Sequence, residues 1–89
     1  MTHIFRRRKW TIDELPKKIR RYGDCDDPRI NGKKIRVNIT RKDKKGLSAL
    51  IHESLHACFW DLEELAVDCA AEDIALFLWR LGWRKIKED

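Results

Sequence analysis

Leu50-Ile51-His52-Glu53-Ser54-Leu55-His56-Ala57 sets two histidines four residues apart inside a run with helical apolar spacing. Leu47, Leu50, Ile51, Leu55, Cys58 and Phe59 recur at intervals of mostly three and four, which predicts a helix over residues 47–59. On such a helix, positions i and i+4 stand about 40° apart around the axis. His52 and His56 therefore project from one face and can share a single metal ion. Glu53 lies about 100° from His52, too far round to join them in the same way but within reach of a water beside the ion. The bland alternative is two surface histidines with a chance glutamate between them. With three His and six Glu in 89 residues, shuffling produces this pattern roughly once in two hundred trials, so coincidence is the weaker reading.

Beyond this helix, Asp61 reads as an N-cap with Glu64 three residues on, a capping-box spacing. The helix it opens runs to about Arg80, with Leu65, Cys69, Ile74, Phe77, Leu78 and Leu81 as its apolar residues. Gly82 and the basic tail Arg84-Lys85-Ile86-Lys87 suit its C-terminal end. An antiparallel hairpin turning near Trp60-Asp61 brings Glu64 level with His56 and Asp68 level with His52. Ala71, Ala75 and Gly82 continue that face with small residues that permit close helix approach. Glu64 has the longer reach and is the favoured third ligand, in competition with its capping role. Asp68 is the reserve ligand, or an acceptor for a histidine N–H. Glu72 and Asp73 read as an exposed polar edge, with Asp73 a further candidate acceptor. Cys58, Cys69, Phe77, Trp79 and Trp83 are expected in the core, and Trp60 is expected exposed at the turn.

On the N-terminal side, Ile35, Val37 and Ile39 alternate with Lys34, Arg36 and Asn38, the period of a half-buried strand. Asn31-Gly32 just before it signals a tight turn. His3 to Ile12 is expected to supply one or two further strands, and Lys42 to Gly46 a charged loop. Pro16, Gly23 and Asp24-Cys25-Asp26-Asp27-Pro28 punctuate the rest. The expected fold is α+β over residues 1–89 as one domain. Short N-terminal strands with an edge strand precede an antiparallel pair of helices that carries the site.

Composition limits the function classes. Apolar residues at 43% and charged residues at 39% fit a folded chain rather than a disordered one. No stretch approaches the roughly 18 consecutive apolar residues of a membrane span, and Met1–Lys9 lacks the apolar segment of a secretory leader. Three cysteines without CxxC spacing argue against a disulfide scaffold, so a reducing cytoplasm is the expected compartment. Residues 1–46 carry 16 Lys/Arg against 6 Asp/Glu, whereas residues 47–89 carry 4 against 9. The basic half predicts weak binding to nucleic acid or to an acidic partner, or a solvated face.

The motif at 50–57, with the helix that ends Leu78-Trp79-Arg80-Leu81-Gly82-Trp83, resembles the zincin-type metallopeptidases, in particular very small ones of phage and bacterial origin. The resemblance covers the C-terminal half well and reaches the N-terminal half only through a preceding edge strand. It implies a bound Zn2+ with His52 and His56 as ligands, Glu53 as general base, and a further ligand from a later segment. No histidine follows His56, so a third ligand downstream is a carboxylate or a cysteine. The resemblance further implies a peptide or protein substrate lying antiparallel to an edge strand. Ile35 to Ile39 is the candidate strand, its neighbours Lys33, Lys34, Arg36 and Arg41 favouring acidic or nucleic-acid-associated substrates.

Two readings compete with this one. The first is a non-catalytic metal-stabilised module that binds nucleic acid through Phe5, Trp10 and Tyr22 interleaved with Arg6–Lys9 and Lys17–Arg21. The second is a structural partner protein in which the motif is accidental. An intact Glu53 favours catalysis, because a purely structural site has no need of a carboxylate there. Cys25 reads as a turn residue, with a thiolate near the metal as its alternative, and His3 as a free side chain.

Overall fold

The computed structural model describes residues 1–15 and 22–86; Pro16, the basic run Lys17–Arg21 and Lys87 lie outside the described residues. Four strands come first: β1 (Thr2–Phe5), β2 (Arg8–Glu14), β3 (Gly23–Cys25) and β4 (Lys34–Val37). Two helices follow, α1 (Lys44–Cys58) and α2 (Glu64–Arg80). The sheet order is β1-β2-β4-β3, with β2 and β4 parallel and the other pairs antiparallel.

The β1–β2 hairpin turns on Arg6-Arg7, both with positive φ (48° and 68°). Two-residue hairpin turns demand such angles, although arginine adopts them at a cost. Arg6 has a compensating anchor. Its Nη1 donates to the Cys58 carbonyl at 2.7 Å, and its guanidinium lies 5.4 Å from the Phe59 ring centre. A cation on the last carbonyls of α1 also complements the helix dipole. The strained turn thereby fastens the sheet to the site-bearing helix.

The alternation read in residues 35–39 places Ile35 and Val37 in the core, at 3% and 1% exposed. The same stretch is not an edge, however. β4 is paired on both sides, and the edge beside α1 is β3, where Asp24 stands opposite Arg36. Arg36 Nε donates to Asp24 Oδ1 at 2.6 Å and its Nη2 donates to Asp26, which pins this short strand in register. Trp10, Ile35 and Val37 from the sheet meet Ala49 and Ala57 from α1 to form the main core.

Both helices begin later or earlier than sequence spacing suggests. α1 starts at Lys44 because the Asp43 side chain accepts from Gly46 N at 2.9 Å, so half of the expected loop is helix. α2 starts at Glu64 behind Glu63, and no side chain caps it; the Asp61–Glu64 capping box does not form. Its far end closes as expected. Gly82 adopts φ 95°, with Trp83 N donating to Leu78 O and Gly82 N to Trp79 O, both at 3.0 Å.

α2 packs on α1 and touches no strand. It buries Val67, Ala71 and Ala75, whereas Gly82, expected to continue the stripe of small residues, is exposed past the helix end. Its larger apolar residues point outward: Phe77 is 62% and Trp83 64% exposed, and Cys69 is exposed too, so none of these three is core. Cys58 and Trp79 are half-buried, and Arg84 covers the Trp79 ring. No helix among the described residues is long and apolar enough to cross a membrane.

Candidate metal centre

His52 and His56 lie mid-way along α1, half-buried, with their Nε2 atoms 3.0 Å apart. Glu64, the first residue of α2, spans the pair. Its Oε1 is 2.9 Å from His52 Nε2 and its Oε2 is 2.9 Å from His56 Nε2. The missing capping box explains why Glu64 is available. With the helix starting at Glu64 itself, its carboxylate turns towards α1 instead of back to Asp61. Asp68, one turn further along, meets the other edge of the ring, with Oδ1 at 2.9 Å from His52 Nδ1. A proton on Nδ1 donated to Asp68 leaves the Nε2 lone pair free, which fixes the tautomer that a metal ligand needs. His56 lacks this support. Its buried Nδ1 has no hydrogen-bond partner among the described residues, and its ring is held edge-on to Trp60 at 6.0 Å.

One donor atom from each of His52, His56 and Glu64 lies within 4.8 Å of the others. Tetrahedral zinc, with bonds of about 2.0–2.2 Å, sets its donors about 3.4 Å apart. Contacts of 2.9–3.0 Å are within a few tenths of an ångström of that spacing, so these residues fit such an ion. Short strands followed by a helix pair carrying two imidazoles and a carboxylate make a zincin-like α+β fold, and the His52/His56/Glu64 cluster has the donor set to coordinate a metal ion. Comparison of the chain with protein-family models, with curated proteins and with solved structures gives no match.

Glu53 is 5% exposed and sits on the floor of a cleft of about 510 Å³ that His52, Glu64, Asp68 and Glu72 also line. Burial pushes its carboxyl up to about 7, opposed by the His52 ring and reinforced by the carboxylates of Asp24, Glu64 and Asp68. The opposite wall is Tyr22 and Gly23, at the start of the edge strand. Sequence reading assigns neither to the site. Gly23 stands in a turn-rich stretch and shows its purpose only in three dimensions. A Cβ there would lie 2.8 Å from the Arg36 carbonyl and 3.0 Å from Glu53 Oε2. Gly23→Ala is therefore expected to push the edge strand and Glu53 apart, destabilising the fold by roughly 1–3 kcal/mol. Thermal melting checks it; an unchanged curve would mean the strand yields freely.

The remaining candidates lie elsewhere. Cys25 is in β3, packed against the core, and supplies no atom to the cluster. Desolvation, with the nearby carboxylates, pushes its thiol up to about 12 from 9.0. Three units leave about a thousandfold less thiolate at pH 8. Alkylation of Cys25 in the native protein is expected to run at least a hundredfold slower than in denaturant, read by mass spectrometry; equal rates would contradict this burial. Asp73 does not reach a histidine, since Asp68 holds that position. His3 meets the Phe5 ring edge-on. Of the aromatics among the basic residues, Trp10 is wholly buried and Tyr22 lies 5.0 Å from the Arg41 guanidinium. Arg36 and Arg41 are paired with aspartates and Lys34 with Asp13, and the cleft itself is acidic. The expected cationic wall for acidic substrates is absent from it.

Ion binding to so small a fold has a large energetic lever. A ligand at about a hundred times its Kd adds ~2.7 kcal/mol to the native state. For a domain of this size that is roughly 10–20 °C in melting temperature. Stripping metal with a chelator is expected to lower the melting point by such an amount. A melt that stays put while the ion demonstrably leaves would remove the stabilising role.

Proposed function

We propose that the chain is a zinc-dependent peptidase. What supports it most is the convergence of His52, His56 and Glu64 on one point with the Glu53 carboxylate beside them at the floor of an open cleft. Zinc held by His52, His56 and Glu64 would supply a Lewis acid for the scissile carbonyl and would acidify the attacking water. Glu53 takes the proton of the attacking water and hands it to the departing amine, acting first as base and then as acid. Asp68 holds the His52 ring in its tautomer throughout. The extended substrate pairs its backbone with the edge of β3 that no other described strand occupies, which borders the cleft at Gly23, by strand addition.

The test joins metal analysis to peptide cleavage. Reconstituted protein should hold about one zinc per chain and cleave an unstructured peptide. Cleavage should stop with a chelator and return with zinc. Protein that takes up no transition metal, or a zinc-loaded form that leaves a broad peptide mixture intact, would overturn the reading.

A further inference from the structure

The outer face of α2 has the wrong character for a helix that ends at water. Along the stretch from Asp73 to Leu81, Ile74, Leu76, Phe77 and Leu81 are between 41% and 62% exposed. Together they present on the order of 400 Å² of apolar side-chain surface, the size of a typical monomer's largest patch, which is often functional. A cleft of about 490 Å³ runs through it, lined by Asp73, Leu76, Phe77, Arg80 and Leu81. Among the described residues no strand covers this surface, and α1 is the one element packed against α2.

Its charges indicate the occupant. Asp73 and Arg80 are the two ionic groups of the cleft, and neither has a partner among the described residues. They are seven positions apart, about 10 Å along the helix, and cannot reach each other. No opposite charge stands three or four residues from either one. Leu76 and Phe77 lie midway between them. A second copy of α2 laid antiparallel, with a two-fold axis between residues 76 and 77, puts Asp73 of each copy against Arg80 of the other. The same axis sets Leu76 against Phe77. The patch is thus complementary to itself, as a two-fold interface must be.

We propose that two copies of this chain associate through the outer faces of α2, antiparallel, with reciprocal Asp73–Arg80 pairs around a Leu76–Phe77 centre. This inference stands apart from the peptidase reading. At 100° per residue Asp73 and Arg80 lie on roughly the opposite side of α2 from Glu64 and Asp68, so the metal site stays free in the dimer. The apolar area is smaller than the roughly 800 Å² per partner of a standard interface, and a micromolar dissociation constant is the corresponding expectation.

Analytical ultracentrifugation from roughly 1 to 100 µM tests it. Wild type should pass from monomer to dimer over this range. Asp73→Arg and Arg80→Asp each create two like-charge contacts and should each weaken the dimer about tenfold or more. Mixing the two variants is the decisive arm. In the mixed pair both contacts become Arg–Asp again, so heterodimers should form at close to wild-type affinity, as should homodimers of the double variant D73R/R80D. Circular dichroism and zinc content, both expected unchanged, show that each variant is folded. If Arg80→Asp frays the helix end, Arg80→Glu takes its place in the mixture. A wild-type chain that stays monomeric at the highest concentration overturns the proposal. So does a dimer indifferent to the single reversals, or a mixture that fails to pair.

Discussion

Glu53→Gln is expected to bind zinc and fold like the wild type while losing peptide cleavage by a hundredfold or more, the usual cost of removing an acid–base group. The amide keeps the shape of the carboxyl in its confined place between α1 and Gly23. It cannot accept the proton. A second readout separates this chemistry from any structural effect. Burial raises the Glu53 carboxyl from 4.5 to about 7, so the folded state holds its proton more tightly than the unfolded state does. Stability of the metal-free protein is then fully present below about pH 4.5 and is drawn down as pH rises through 7. Glutamine abolishes that loss. Metal-free Glu53→Gln should therefore melt higher than metal-free wild type at pH 8, and the two should coincide at pH 4. A variant that loses cleavage and also melts lower at pH 8 would make Glu53 a packing residue instead of a base.

How much of this was legible beforehand depends on the range of each interaction. The His52/His56 pair was legible because i and i+4 on a helix is local geometry. The levels of Glu64 and Asp68 followed from counting outward from a tight turn, and the structure brings both carboxylates to the imidazoles. The sheet was harder. β4 looks like an edge when its neighbours are unknown, and β3 is three residues of Gly-Asp-Cys whose strand character comes from Arg36 across the ladder. Gly23 is legible only from the carboxyl it lies against. The burial of α2 was misjudged because amphipathic reading assumes that the bulkiest face is inward. Here Val67, Ala71 and Ala75 face α1, the side that also carries Glu64 and Asp68. The acids need a close approach to α1, and small residues permit it.

The division of labour among the carboxylates leads to the second large effect. His52→Ala or His56→Ala removes a donor from a three-residue set and is expected to abolish stoichiometric zinc binding. Glu64 touches both Nε2 atoms and Asp68 only His52 Nδ1, so the two acids should not be equivalent. Glu64→Gln is expected to cost zinc affinity most of what a histidine does. Asp68→Asn should cost about 10–100-fold, the range for groups that orient a ligand through its second ring nitrogen. Competition with a chromophoric chelator gives the affinities, and circular dichroism keeps an unfolded variant from being mistaken for one lacking a ligand. A larger loss from Asp68→Asn than from Glu64→Gln would move the third ligand one turn along α2, with Glu64 left as a surface acid. Zinc held equally well by both variants would exclude α2 from the coordination altogether. The 2.9 Å contacts across the two helices would then be plain histidine–carboxylate pairs, and the close approach of α2 would need a different reason.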